Sequence, residues 1–407
     1  MVYHRQSFDT PILAVRYPGF SSNRHLTFFV FLRVFVVRFI SGGVLIKKTF
    51  LAAAITVVAM PALAAGPDHV DITWMSIANI HYQIGSFGVL TDGYITRIPE
   101  SEFHGGGGGY AYTRKPWKPD VAAVSRVLDA IGGTDKIKLL LTGHSHWDHS
   151  FDTATWSRLT GAPIIGSQTT CFEVMAENLP VERCRPVYGL EKIDIAEGVT
   201  MRVVRWNHSG DPAKNWEQHD PVELEDIPRQ DPATGGLKAG VAEDFPNGGG
   251  NRGFLFTVDG PQGRYSWFYQ NSASPVDLHV PIVIKGVDYG APIENLKIAM
   301  RDAGLKSVDL WIGTGTLPIA ERVVPVLQPK AFIPIHWDGL WEPFEGGMPW
   351  RFAEPTLEAF LDKSGVKLIK PAQYMDLWRL DIAGIRPLAN TAIKQRLGFP
   401  DVQPFPR

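Results

Sequence analysis

The segment Ile137-Lys-Leu-Leu-Leu-Thr142, followed by Gly143 and then His144-Ser145-His146-Trp147-Asp148-His149, decides how the rest of the chain is read. A short apolar run of strand character ends at Thr142, and three imidazoles and a carboxylate follow almost at once. Imidazole nitrogen suits zinc and its neighbours in the first transition row, and carboxylate oxygen helps to hold a second ion. In an extended segment His144 and His146 point the same way, Asp148 continues that set, and His149 falls on the opposite side. One pair can then grip one ion while Asp148 and His149 lean toward another, which makes a dinuclear site on a strand-end loop geometrically natural. The plainer alternative is a polar turn. A lone His-x-His recurs by chance, whereas His-x-His-x-Asp-His after a buried strand has the context that a metal motif requires.

Two later strand-like runs also end in histidine: Thr200 to Trp206 leads to His208, and Lys330 to Ile335 leads to His336. A third, Arg264 to Gln270, leads to Asn271 and Ser272. With these positions the chain resembles the metallo-β-lactamase-fold metallo-hydrolase superfamily, whose signature is H-x-H-x-D-H followed by further ligands on later strand-end loops. The resemblance implies that His144, His146 and His208 hold one zinc ion, and that Asp148, His149 and His336 hold another. Many members end a strand with a bridging aspartate where this chain has Asn271 and Ser272, and neither side chain supplies an anionic bridging oxygen. The superfamily's third β-lactamase subclass also lacks that bridge, so two Zn2+ per chain is the favoured reading. A more weakly bound second ion, a single-metal site or another divalent metal are the alternatives. The stretches Ile72 to Ile84 and Gly88 to Ile95 look like the superfamily's opening strands. With Ile-Pro-Ile-His-Trp near the end, the pattern is closest to the branch of ascorbate-6-phosphate lactonases and N-acylphosphatidylethanolamine phospholipase D. His81 and Asp92 fall where that branch keeps residues near the metals, although a strand histidine is more often structural. Trp147 and Trp337 are candidates to line an apolar pocket over the ions, against core packing as the commoner fate of a tryptophan.

Strand-like runs interleave with helical patterns at Pro119 to Ile131, Asp152 to Leu159, Ile293 to Ala303, Ala320 to Val326 and Glu354 to Lys363, which indicates an α/β architecture. The resemblance specifies a four-layer αββα sandwich with the metals at one edge. The motifs span Ile72 to His336, so residues 65–407 read as a single domain with insertions at 99–119 and 209–251. Irregular stretches of such length are substrate lids or disordered connections. The five glycines Gly105 to Gly109 in the first insertion lack the Gly-Lys-Ser/Thr ending of a phosphate cradle.

Ahead of this domain, Lys47-Lys48 precede the apolar run Thr49 to Met60 and then Pro61-Ala62-Leu63-Ala64. A basic start, a short apolar middle and a small-x-small site read as a secretory signal peptide. Residues 1–64 are therefore expected to be an N-terminal extension and cleaved signal, with translation starting near Val44. The alternative for Leu26 to Ile40 is a membrane anchor, so membrane contact stays open. Removing residues 1–64 takes away seven basic residues and one acidic residue, and leaves 33 basic against 41 acidic, a balance of −8. No Lys/Arg cluster stands out, which argues against a nucleic-acid partner. Export, periplasmic or secreted, meets an oxidising environment, and a disulfide between the two cysteines, Cys171 and Cys184, is expected.

The chemistry that follows is hydrolysis of an ester, lactone or amide bond of a small molecule by a metal-bound hydroxide, with Asp148 orienting it. No Gly-x-Ser-x-Gly nucleophile elbow is present. The alternatives are a phosphodiesterase or phospholipase D-like hydrolase and a metal-binding protein without catalysis. Native metal, substrate and oligomeric state stay open.

Overall fold

Seventeen strands carry the architecture of the computed structural model, which describes residues 65–103, 116–211, 213, 221–233, 235–237, 250–348 and 351–400. The signal-like segment, the apolar run from Leu26 to Ile40 and the five-glycine run lie outside the described residues. In chain order the strands are β1 (His69–Ser76), β2 (Asn79–Ile84), β3 (Phe87–Thr91), β4 (Leu139–Leu141), β5 (Ile164–Gly166), β6 (Cys184–Pro186), β7 (Lys192–Ala196), β8 (Val199–Arg205) and β9 (Arg252–Gly260). They continue with β10 (Gly263–Gln270), β11 (Val283–Ile284), β12 (Val287–Asp288), β13 (Leu310–Gly313), β14 (Ala331–Pro334), β15 (Lys367–Leu368), β16 (Asp376–Asp381) and β17 (Gly384–Leu388).

One sheet has the order β17-β16-β1-β2-β3-β4-β5-β6, the other β15-β14-β13-β10-β9-β8-β7, and β11 and β12 form a separate hairpin. Side-chain alternation shows how the second sheet is covered on both faces. Met201, Val203, Trp267, Tyr269, Ile312 and Ile333 point into the core shared with the first sheet. Their neighbours Val204, Phe268, Trp311 and Phe332 pack instead with Leu296, Met300, Val323, Leu327 and Leu361 of the helices Pro292–Asp302, Leu317–Leu327 and Pro355–Lys363. Helices Val121–Ala130, Thr153–Thr160 and Gln168–Ala176 cover the first sheet. The αββα sandwich is therefore the architecture of the chain.

The direction of the strands sets the position of the site. β8 and β10 both pair antiparallel with β9, so their C-terminal ends share one edge, and β13 and β14 run parallel to β10. In the other sheet β3 and β4 are parallel. Every chain segment carrying a motif residue leaves the C-terminal end of one of these strands.

Some elements differ from the sequence pattern. The run read as Gly88 to Ile95 stops being a strand at Thr91, because Asp92 (φ 58°) and Gly93 (φ 103°) are left-handed and turn the chain away. The opening stretch breaks into β1 and β2 at Ile77 (φ 45°). Helix Gln168–Ala176 lacked a legible stripe because its polar Thr169, Thr170 and Glu173 are buried beside Cys171 and Val174. The last two strands return to the first sheet, where β16 pairs with β1. The two insertions touch: the Trp117 backbone N–H donates to the Leu237 carbonyl at 3.0 Å. Among the described residues no helix is long and apolar enough to cross a membrane.

Cys171, on helix Gln168–Ala176, and Cys184, opening β6, form a disulfide with Cα atoms 5.4 Å apart. By restricting the unfolded chain over a short loop, such a link contributes about 3 kcal/mol. Replacing both cysteines by alanine is expected to lower unfolding stability by about that amount in urea titrations; an unchanged midpoint would contradict it.

Candidate metal centre

The metal motif is only partly extended. His146 takes an extended conformation (φ −65°, ψ 153°) as the N-cap of a single helical turn, Trp147–Ser150. The Ser150 hydroxyl locks that turn by donating to the Glu173 carboxylate at 2.7 Å. Simple alternation along the segment therefore does not hold, and the helical turn swings Asp148 and His149 to the same place: His149 Nε2 lies 3.2 Å from Asp148 Oδ2. His208 follows β8, and His336 follows β14 in a left-handed conformation (φ 64°).

Six residues from these distant stretches converge as two groups of three. The donor atoms within His144, His146 and His208 lie within 4.8 Å of one another, as do those within Asp148, His149 and His336. His144 Nε2 is 3.1 Å from His146 Nδ1, and His336 Nε2 is 3.0 Å from Asp148 Oδ2 and 3.2 Å from His149 Nε2. Two nitrogens bound tetrahedrally at ~2.05 Å from one zinc ion would be about 3.3 Å apart, so these edges fit a shared centre. Burial pushes His144 and His208 well below the ordinary histidine range and His146 down to about 4, which leaves lone pairs free for a cation. Burial alone would raise the Asp148 carboxyl, but the His149 and His336 imidazoles beside it hold it well below the usual carboxylate range.

The other ring nitrogen of three of these histidines is fixed by a hydrogen bond, which sets the nitrogen that faces the centre. His144 Nδ1–H donates to Asn271 Oδ1 at 3.0 Å, His149 Nδ1–H to Asp92 Oδ2 at 2.9 Å, and His208 Nδ1–H to the Ser209 carbonyl at 2.8 Å. Ser272 Oγ accepts from the Ser209 backbone N–H at 2.8 Å and so steadies the His208 loop. Asn271 Nδ2 donates to Asp92 Oδ2 at 2.9 Å. A carboxylate in place of this amide would face Asp92. Gly143 is fitted to the same contact, since a Cβ there would come 2.2 Å from Asn271 Nδ2.

The remaining candidates fall into two groups. Trp147 is buried, edge-on to Tyr94 at 5.3 Å and stacked on Trp341 at 4.9 Å, while Trp337 stacks on Trp74 at 5.8 Å. His81 is held elsewhere: its Nε2–H donates to the Lys136 carbonyl at 2.7 Å, and burial pushes its pKa down to about 4. The sequence reading missed Tyr269, whose hydroxyl meets Asp92 at 2.7 Å, and nothing short of the three-dimensional pairing signals it.

A two-sheet sandwich with six donors gathered at the C-terminal ends of its strands is decisive for the architecture. The chain has the metallo-β-lactamase fold. No protein-family model matches the chain, and no curated protein matches it in sequence. Similar solved structures include a novel metallo hydrolase from the hyperthermophilic archaeon Ignicoccus hospitalis KIN4/I, at 11% identity and a TM-score of 0.43, covering 77% of this chain and 99% of that one. The metallo-β-lactamase fold protein YhfI from Bacillus subtilis is similar at 10% identity and a TM-score of 0.41, with 77% and 99% covered. An isothiocyanate hydrolase from Delia radicum gut bacteria is similar at 12% identity and a TM-score of 0.42, with 75% and 97% covered.

Two outcomes follow. Asn271→Ala removes the acceptor that orients His144 and a donor to Asp92, and is expected to weaken metal retention roughly 10- to 100-fold in a chelator competition; unchanged retention would contradict that role. For His81 the folded pKa lies below the unfolded value of about 6.5, so its contribution to stability is complete above that pH and is lost as pH falls toward 4. The loss from this group is roughly 3 kcal/mol at pH 4. His81→Gln is expected to flatten the decline between pH 7 and 4 in urea titrations, and parallel curves for the two proteins would count against it.

Proposed function

We propose that the protein is an exported zinc-dependent hydrolase that cleaves an ester, lactone or amide bond of a small, partly apolar molecule. The observation that carries this reading is the pair of complete three-donor sets: His144, His146 and His208, which burial keeps neutral, and His149 and His336 around the Asp148 carboxylate. Divalent ions held by His144, His146 and His208 and by Asp148, His149 and His336 would make water a nucleophile near neutral pH and polarise a substrate oxygen. The chain's own residues then divide the work. Asp148 is the one anionic donor among the six and orients the attacking water. Asp92, Asn271 and Ser209 hold three imidazoles in fixed tautomers, so little reorganisation is needed during reaction. The preference for a substrate with an apolar portion is proposed on the aromatic pair formed by Trp147, inside the metal motif, and Trp341, which stack at 4.9 Å.

Zinc is favoured by a donor set of five imidazoles and one carboxylate. Export is supported by the basic-apolar-small pattern from Lys47 to Ala64 and by a disulfide, which suits an oxidising compartment. A panel of esters, lactones and amides, set against bis(p-nitrophenyl) phosphate, tests the reading. Turnover of at least one carbonyl substrate is expected, abolished in His146→Ala and Asp148→Ala with circular dichroism unchanged. Full activity in either variant would refute it, and cleavage of the phosphodiester alone would replace it with phosphoryl chemistry.

A further inference from the structure

Two residues other than glycine hold left-handed backbone beside the second donor set, and they are bonded to each other. His336, a donor of that set, has φ 64°, and Ile77, in the two-residue loop between β1 and β2, has φ 45°. The His336 backbone N–H donates to the Ile77 carbonyl at 3.0 Å. A two-residue hairpin loop ordinarily places glycine, asparagine or aspartate in such a conformation. Isoleucine, branched at Cβ, is strained there, so the conformation persists only where its surroundings impose it.

The surroundings hold both peptide groups of Ile77. Its carbonyl accepts a second hydrogen bond, from Trp74 Nε1–H at 3.0 Å. Its backbone N–H donates to Asp338 Oδ2 at 2.9 Å. Asp338 follows His336 by two residues, so one short segment gives to Ile77 on one side and accepts from it on the other. Trp337, between them, stacks on Trp74 at 5.8 Å, and its Nε1–H donates to the Pro334 carbonyl at 3.1 Å. Ile77 and Asp338 are wholly buried, which leaves no water to replace the bond between them.

Asp338 has a second neighbour of a different kind. Burial pushes its carboxyl up, and the Ile77 N–H and then the charge of Arg97 pull it back. One partner needs an acceptor oxygen and the other needs a negative charge. Among the six donors His336 alone has left-handed backbone, and its Nε2 reaches Asp148 Oδ2 at 3.0 Å and His149 Nε2 at 3.2 Å. The first donor set hangs on other supports, Asn271 for His144 and the Ser209 carbonyl for His208.

We propose that Asp338 is the positioning residue of the second donor set: by accepting from the Ile77 N–H it keeps the β1–β2 loop in the strained form whose carbonyl fixes the His336 main chain. It acts through Ile77 and is not itself a donor of the set. The inference rests on the reading of a metal centre, and not on which bond is cleaved.

The test is titration of metal-free protein with Co2+ against a competing chelator, followed in the visible spectrum, with His336→Ala as the reference for a chain that keeps the first ion alone. Asp338→Ala is expected to hold the second ion roughly 10- to 100-fold more weakly, and the first ion as the wild type does. Asp338→Asn keeps an acceptor and loses the charge, and should bind both ions nearly as the wild type does. Unchanged binding of both ions in Asp338→Ala overturns the proposal, and so does equal weakening of both. Loss of the second ion in Asp338→Asn as complete as in Asp338→Ala also overturns it, because the charge beside Arg97 would then be what matters. Thermal melting of each variant reports folding. Hydrogen exchange keeps the proposal open to refutation if the Asp338 variants unfold: the Ile77 amide of the wild type should exchange more slowly with both ions bound than with metal removed, and His336→Ala should lose that difference. An Ile77 amide that does not respond to metal, or a response that survives in His336→Ala, overturns the proposal. A wild type that binds no Co2+ would sink the metal reading and this proposal together. Binding as expected, with no ester, lactone or amide turned over, would sink the hydrolase reading alone.

Discussion

A single buried carboxylate ties the two sheets together at the edge where the donors gather. Asp92 leaves β3 of the first sheet and accepts from the Gly143 backbone N–H at 2.9 Å, at the root of the metal motif, and from His149 Nδ1 at 2.9 Å. From β10 of the second sheet it meets the Tyr269 hydroxyl at 2.7 Å and Asn271 Nδ2 at 2.9 Å. Its left-handed backbone is what turns the carboxylate inward at the end of β3. A buried charge with this many charge-assisted donors is both a structural clamp and an electrostatic reference for the centre, because it fixes one imidazole directly and a second through Asn271.

The donors themselves were legible because they obey local rules. Each follows an apolar run of strand length, and the residue types are those that bind a borderline metal. The interleaving of strands and helices was legible in the runs themselves, whereas the αββα layering came from the resemblance. The structure shows its basis in runs such as Thr200 to Trp206, with Met201 and Val203 toward the opposite sheet and Val204 and Trp206 toward the helices. What escaped was non-local. The helical turn at Trp147–Ser150 depends on Glu173, far along the chain, and β16 pairs with β1 across some three hundred residues.

The second insertion is anchored more firmly than its composition suggests. Glu223 within it accepts from Arg252 Nη2 at 2.7 Å and from Arg205 at 3.3 Å, and also from the Gln168 backbone N–H at 3.0 Å. Arg252 is wholly buried and donates as well to the Val187 carbonyl, so the base of the insertion is pinned to the end of β8 and the start of β9. His208 lies just past the same strand end.

The account stands or falls on two ions sharing one edge. Elemental analysis of protein purified without chelator, repeated on His208→Ala and His336→Ala, tests it most directly. Two equivalents of zinc per chain in the wild type, with each variant losing chiefly one, is the predicted result. No bound metal in the wild type, or a content that neither substitution changes, would contradict it.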